Sequence, residues 1–132
     1  MRRWGRSQKY HARPRHLYAL LFSDGCYIGQ SVNPQARAAQ HRRPAGGWCG
    51  RRFRLVLLGT VNGSEEQAKD YERAWRLKAQ AHGWQVYAMP PGIVCDPRRQ
   101  ATFKHRRISW TLRWPRRHSR QLVWRIVNWF AR

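Results

Sequence analysis

Leu17 to Phe22 is an uninterrupted apolar run, and the Asp24-Gly25 pair that follows it is a two-residue hairpin signal. The pattern predicts a strand over Leu17 to Ser23 and a return strand starting at Cys26 to Gly29. Asn33-Pro34 then supplies a helix N-cap with proline at the first helical position. The helix is expected to run through "QARAAQHRR" and to stop before Pro44. After a loop, "PAGGWCG", the stretch "RFRLVLLGTV" (52–61) is the longest strand candidate. Ser64 to Gln67 forms a capping box ahead of "EEQAKDYERAWRLKAQAH", a long helix closed by Gly83. The order strand, strand, helix, strand, helix predicts an α+β domain with a small antiparallel sheet of about three strands flanked by helices.

The tail reads less simply. Ile108, Trp110, Leu112 and Trp114 alternate, which predicts a strand. Leu122, Val123, Ile126, Val127 and Phe130 then fall on one stripe at helical spacing, with Arg120, Trp124, Arg125 and Trp129 among them. Such a helix can pack back on the domain, lie on a membrane surface, or meet a nucleic acid or another partner.

Charge changes the picture. The 132 residues hold 27 Lys+Arg against 6 Asp+Glu, a net +21, with a sequence pI near 11.7. A field of that strength calls for a polyanionic partner, nucleic acid or an anionic membrane. Arginine outnumbers lysine 23 to 4. The guanidinium fork matches phosphate and stacks on bases, which favours nucleic acid, although codon bias produces the same ratio. The charge is uneven: residues 1–16 carry six bases and no acid, 17–96 hold all six acids against ten bases, and 97–132 carry eleven bases and no acid. The expected organisation is a basic N-terminal arm (1–16), a globular unit (17–96) and a basic Trp-rich C-terminal extension (97–132).

Three widely spaced cysteines (Cys26, Cys49, Cys95) with no zinc spacing indicate neither a zinc site nor a disulfide framework. No apolar h-region and no run of 18 apolar residues appear. A soluble, intracellular, cytoplasmic protein is expected.

The candidate chemistry gathers in the globular unit. Tyr18 on the first strand and Tyr27 on its hairpin partner are placed to approach each other, and Arg37 and His41 share a helix face. Glu65 and Glu66 suit a first helical turn, and Asp70 pairs with Arg73 at surface spacing. Glu72 is different: it lies past the first turn beside Tyr71 and Trp75. A divalent metal would explain it, and so would a salt bridge to Arg37 or Arg76.

"LYALLFSDGCYIGQSVNPQARAAQH" resembles the opening of the GIY-YIG nucleases, which pair a Gly-Ile-Tyr-like strand with a Tyr-Ile-Gly strand and then a helix bearing an Arg and often a His. Tyr18 matches the first tyrosine, Tyr-Ile-Gly 27–29 the second motif, Arg37 the arginine and His41 the histidine. Glu72 in "AKDYE" matches the glutamate of the later helix. The first motif lacks its Gly and Ile, Gln30 stands where a Lys sometimes follows, and the Asn of many members is absent, with Gln85 as a stand-in. The resemblance spans roughly residues 16–90. It implies a metal-dependent endonuclease that hydrolyses phosphodiester bonds, with nucleic acid, expected to be DNA, as partner. Glu72 would hold one Mg²⁺ (or Mn²⁺), Arg37 would stabilise phosphate charge, and Tyr18 would activate or orient water with Tyr27 and His41 in support. Arg42, Arg43, Arg51 and Arg52 would contact the nucleic acid. The alternative is a non-catalytic basic protein that keeps the scaffold and binds nucleic acid.

Overall fold

The computed structural model describes residues 12–120. Among the described residues, five strands and four helices follow in the order β1 (Arg13–Leu21), β2 (Cys26–Ser31), α1 (Pro34–Arg42), β3 (Arg54–Gly63), α2 (Glu65–Ala81), β4 (Val86–Met89), β5 (Ile93–Val94), α3 (Pro97–Gln100) and α4 (Phe103–Thr111). A short 3₁₀ turn follows at Arg116–His118. The fold is α+β, but the sheet has five strands in the order β3-β1-β2-β4-β5, not three. It is also mixed: β2 and β4 are parallel, and the other neighbours are antiparallel. The two added strands have four and two residues, too few for alternation to register as a pattern.

β1 is an interior strand between β3 and β2, and its two faces explain its continuous apolar run. Leu17, Ala19 and Leu21 pack with Ile28, Trp75, Ala79, Trp84 and Trp114 in one core. Tyr18, Leu20 and Phe22 pack with Trp48 and Tyr87 in a second core on the other face. A strand buried on both sides has no polar face to show. Between β1 and β3 the register slips at Leu17/Tyr18, where Leu17 faces Gly59 but Tyr18 faces Leu57, a bulge that leaves Leu58 extra.

The local signals that rest on caps hold. Asn33 Oδ1 accepts from the Ala36 amide and Pro34 opens α1. Ser64 and Gln67 satisfy each other's amides at the start of α2. At the other end of α2, Gly83 takes the left-handed φ of 88° that stops the helix. The hairpin is shifted by one residue. Phe22 N–H donates to Gly25 O at 2.8 Å, so Ser23-Asp24 are the turn residues. Gly25 serves contact instead, since a Cβ there would fall 2.7 Å from Tyr87 Cζ.

The strand expected at Ile108 to Trp114 is a helix. Thr102 caps α4 and His105 returns the capping bond, while His105 and Ser109, one turn apart, are the buried pair. The apolar alternation was coincidence, because Trp110 is 73% exposed and Trp114 reaches the core only beyond the helix end. Charge also drew the arms too long. Residues 13–16 open β1, where the buried Arg15 donates Nε to Gly63 O at 3.2 Å. Residues 97–120 dock on α2: Trp114 lies 6.3 Å from Trp75 between ring centroids, and the Trp84 and Trp114 indoles both donate to His118 O. The stripe from Leu122 to Phe130 and the first eleven residues lie outside the described residues. Among the described residues no helix is long and apolar enough to cross a membrane.

Candidate active site

The site grows out of the β1–β2 ladder. Tyr18 pairs with Gly29, and the phenol lies across that glycine: a Cβ at 29 would fall 2.6 Å from Tyr18 Oη and 2.7 Å from Cζ. The glycine of the Tyr-Ile-Gly motif is thus a steric requirement of the tyrosine opposite it. From α1, His41 places Nε2 3.2 Å from Tyr18 Oη. Its ring also meets Tyr27 edge-on at 5.8 Å between centroids. Trp48, from the Gly-rich loop, is fully buried and packs edge-on against Tyr27 at 5.3 Å. The sequence signal for that contact is the lone tryptophan in the loop "PAGGWCG".

Arg37 sits one turn before His41, exposed, with Nη1 donating to Gln40 Oε1 at 3.4 Å. Its positive charge reaches the other members, lowering the proton affinity of Tyr18, Tyr27 and His41. Burial dominates each of these groups. It pushes both phenols above the ordinary tyrosine range, and Glu72 raises both further. In His41, burial and then Arg37 depress the imidazole below 6.5, so the neutral ring prevails at neutral pH. In the tautomer that keeps its proton on Nδ1, the neutral ring offers Nε2 as acceptor for the Tyr18 O–H.

Glu72 comes from α2, whose Trp75 and Ala79 pack on the opposite face of the sheet from Tyr18. Its carboxylate is nonetheless felt by both phenols. Arg76, one turn on, donates Nη2 to Glu72 Oε1 at 2.9 Å, and both side chains are about 15% exposed. Burial raises the Glu72 carboxyl against the pull of Arg76, Lys69 and Arg73. The salt bridge that the spacing allowed is therefore formed, and its partner is Arg76 rather than Arg37.

Whether a metal fits can be judged from the donors. Among the described residues no group of three or more His, Cys, Asp or Glu comes together, which leaves a soft or nitrogen-rich site without ligands. One carboxylate within electrostatic reach of two phenols suits a hard ion that keeps most of its waters. Glu72 fits that role, in competition with Arg76.

The four arginines expected to meet nucleic acid divide. Arg42, Arg43 and Arg52 are exposed, with the Arg42 guanidinium 4.8 Å over the Phe53 ring. Arg51 is engaged inside the molecule: Nη2 bonds Asp24 Oδ1 at 2.5 Å, Nη1 bonds Pro91 O at 3.1 Å, and the group lies 4.6 Å over Phe22. Compared with family models, curated proteins and solved structures, the chain matches none.

Proposed function

We propose that the chain is a metal-dependent endonuclease of the GIY-YIG type, acting on phosphodiester bonds in DNA. The observation that carries this reading is the Tyr18–His41 bond, set over Gly29 and surrounded by Tyr27, Arg37 and the charge of Glu72. A phenol bonded to a neutral imidazole, with a second phenol against that imidazole and a guanidinium within electrostatic reach, can orient a water and offset charge on a phosphodiester.

In this reading Arg37 donates to a non-bridging phosphate oxygen and offsets the charge that builds there in the transition state. Tyr18 orients the attacking water. Its phenol is too weak an acid to serve as phenolate, so the proton passes through Oη to neutral His41 Nε2. Tyr27 meets the imidazole ring edge-on, and Trp48 packs edge-on behind Tyr27. Glu72 is the residue that would hold a hard divalent cation, whose chemistry is Lewis-acid neutralisation of the phosphate. Arg76 fixes the carboxylate orientation until then.

One observation favours a second reading, a basic binding protein that keeps the scaffold without cutting. Tyr18 is only 1% exposed and Arg76 already neutralises Glu72. Plasmid nicking in Mg²⁺ decides between the two. The nuclease reading expects wild-type nicking, none in Glu72→Gln, a loss of about 10² to 10³ in Arg37→Ala, and duplex binding retained in both variants. Wild-type protein that binds DNA and never nicks it establishes the second reading.

A further inference from the structure

The helix α4 carries a feature that the active-site cluster does not use. Its inward face is His105 and Ser109, both buried against α2. Thr102 N–H donates to His105 Nδ1 at 3.1 Å, so the ring proton sits on Nε2 and is donated to Asp70 Oδ1 at 2.9 Å. Lys104 Nζ bridges to Asp70 Oδ2 at 2.9 Å, and Arg73 Nη1 donates to Gln100 O at 3.3 Å. With helix, cap and partner bonded in this way, α4 is a fixed platform on α2.

What the platform presents outward is unusual for a surface helix. Phe103 is 70% exposed and Trp110 73% exposed, with the exposed Arg106 and Arg107 between them. At 100° per residue these four lie on the side away from His105, and the two rings stand roughly 10 Å apart along the axis. The Arg107 guanidinium is 5.9 Å from the Phe103 ring centroid. Beside Trp110 a groove of about 320 Å³ opens between α2 and α4, floored by Leu77 and Ala81 and edged by Arg98, Arg106 and Ser109.

We propose that this face binds single-stranded nucleic acid. Bases stack on Trp110 and Phe103, one entering the groove over Leu77 and Ala81, and Arg98, Arg106 and Arg107 hold the phosphates between them. Aromatic platforms separated by cations are the recurrent solution for unpaired strands, because every base offers a π-face and duplex bases do not. Charge selects the occupant. A second copy of a +21 chain would be repelled, whereas a polyanion is attracted. A membrane surface is served by a continuous apolar face, and here arginines interrupt the two rings. Leu77 and Ala81 lie about 140° and 180° around α2 from Glu72, so the face is separate from the catalytic cluster and its binding does not require cutting.

The test is fluorescence anisotropy of the full chain in EDTA with a labelled oligo-dT twenty-mer and a duplex of equal phosphate number. Trp110→Ala should weaken oligo-dT binding by roughly 5- to 150-fold, the loss of one stacking platform, and leave the duplex within about twofold. Trp110→Phe should retain most of the affinity. Phe103→Ala should give the same selective loss and carries the test should Trp110→Ala fail to fold. Unchanged oligo-dT affinity in both alanine variants, or an equal loss on both probes, overturns the proposal. So does a wild-type chain that binds anionic phosphatidylserine vesicles and not oligo-dT.

Discussion

Tyr18 and Gly29 face each other across the β1–β2 ladder, and the phenol of one fills the space that a side chain on the other would need. Gly29→Ala puts a methyl 2.6 Å from Oη and 2.7 Å from Cζ of a fully buried ring. The ring must move, and the His41 bond moves with it. The substitution should cost about 1–3 kcal/mol, the range for overpacking a core. In a Tyr18→Ala background the same change should be nearly neutral, because the obstructing ring is gone. Urea unfolding of the four proteins closes that cycle. Additive losses would mean that glycine is needed there for something other than the phenol.

The Tyr18–His41 bond sets a pH dependence. Burial and Arg37 hold His41 below its ordinary 6.5, so the acceptor form is present at neutral pH. Nicking should be level above about pH 7 and fall as pH drops below 6.5 through the depressed value. Stability shifts in the same direction: between the two values the unfolded chain binds the extra proton, so folding weakens as pH falls. His41→Ala should lose about 10² to 10⁴ in rate and lose the acid limb. Tyr18→Phe should cripple turnover with the fold kept. An acid limb that survives in His41→Ala would place the titrating group elsewhere.

The parts of the fold that were legible in the sequence are those written in local chemistry. Asn33-Pro34 and the Ser64–Gln67 box fix helix starts through their own side chains, with no need of a partner. The cluster residues were legible for a similar reason, since Tyr18 and Tyr27 lie on paired strands and Arg37 and His41 one helical turn apart. β4 and β5 were not legible, because their pairing is decided by what β2 offers at its free edge. Nor was α4, whose capping box closes with His105 where Glu or Gln is usual, and whose His105 also reaches Asp70 35 residues away. Charge was the poorest guide to boundaries. Arg15 is basic and buried, and Trp114 lies in a basic stretch yet closes the core against Trp75.

Glu72 and Arg76 form a largely buried ion pair, and removing one partner exposes the cost of the other. Arg76→Met should cost about 3–5 kcal/mol near pH 7.5, where the carboxylate is left charged and unpaired. The sign of the pH effect follows from the raised Glu72 pKa. Below 4.5 the acid is protonated folded and unfolded alike and its burial is harmless. As pH rises through the folded value, the charge forms and destabilises. Urea unfolding at pH 5 should therefore show a smaller loss than at pH 7.5. Equal losses at the two pH values would show that Arg76 acts through packing of its stem.

Arg51 should behave differently from the other three arginines near α1. Its guanidinium is held by Asp24 and Pro91 O and stacked on Phe22, with the side chain 29% exposed. A phosphate approaching it must first compete with a carboxylate already in contact. Arg42, Arg43 and Arg52 are exposed and have no such ion pair among the described residues. Each phosphate contact contributes about −0.9 to the slope of log K against log[salt] for duplex. Substituting alanine for Arg42, Arg43 or Arg52 should flatten the slope by about that amount when the residue meets the backbone. Arg51→Ala should leave the slope unchanged and lower the unfolding midpoint, because it unties the β1–β2 turn from the loop that carries Pro91. Asp24→Ala is the converse. It frees the Arg51 guanidinium and removes an acid that repels phosphate, so the slope should steepen. A flattened slope in Arg51→Ala would mean that the Asp24 pair opens for DNA.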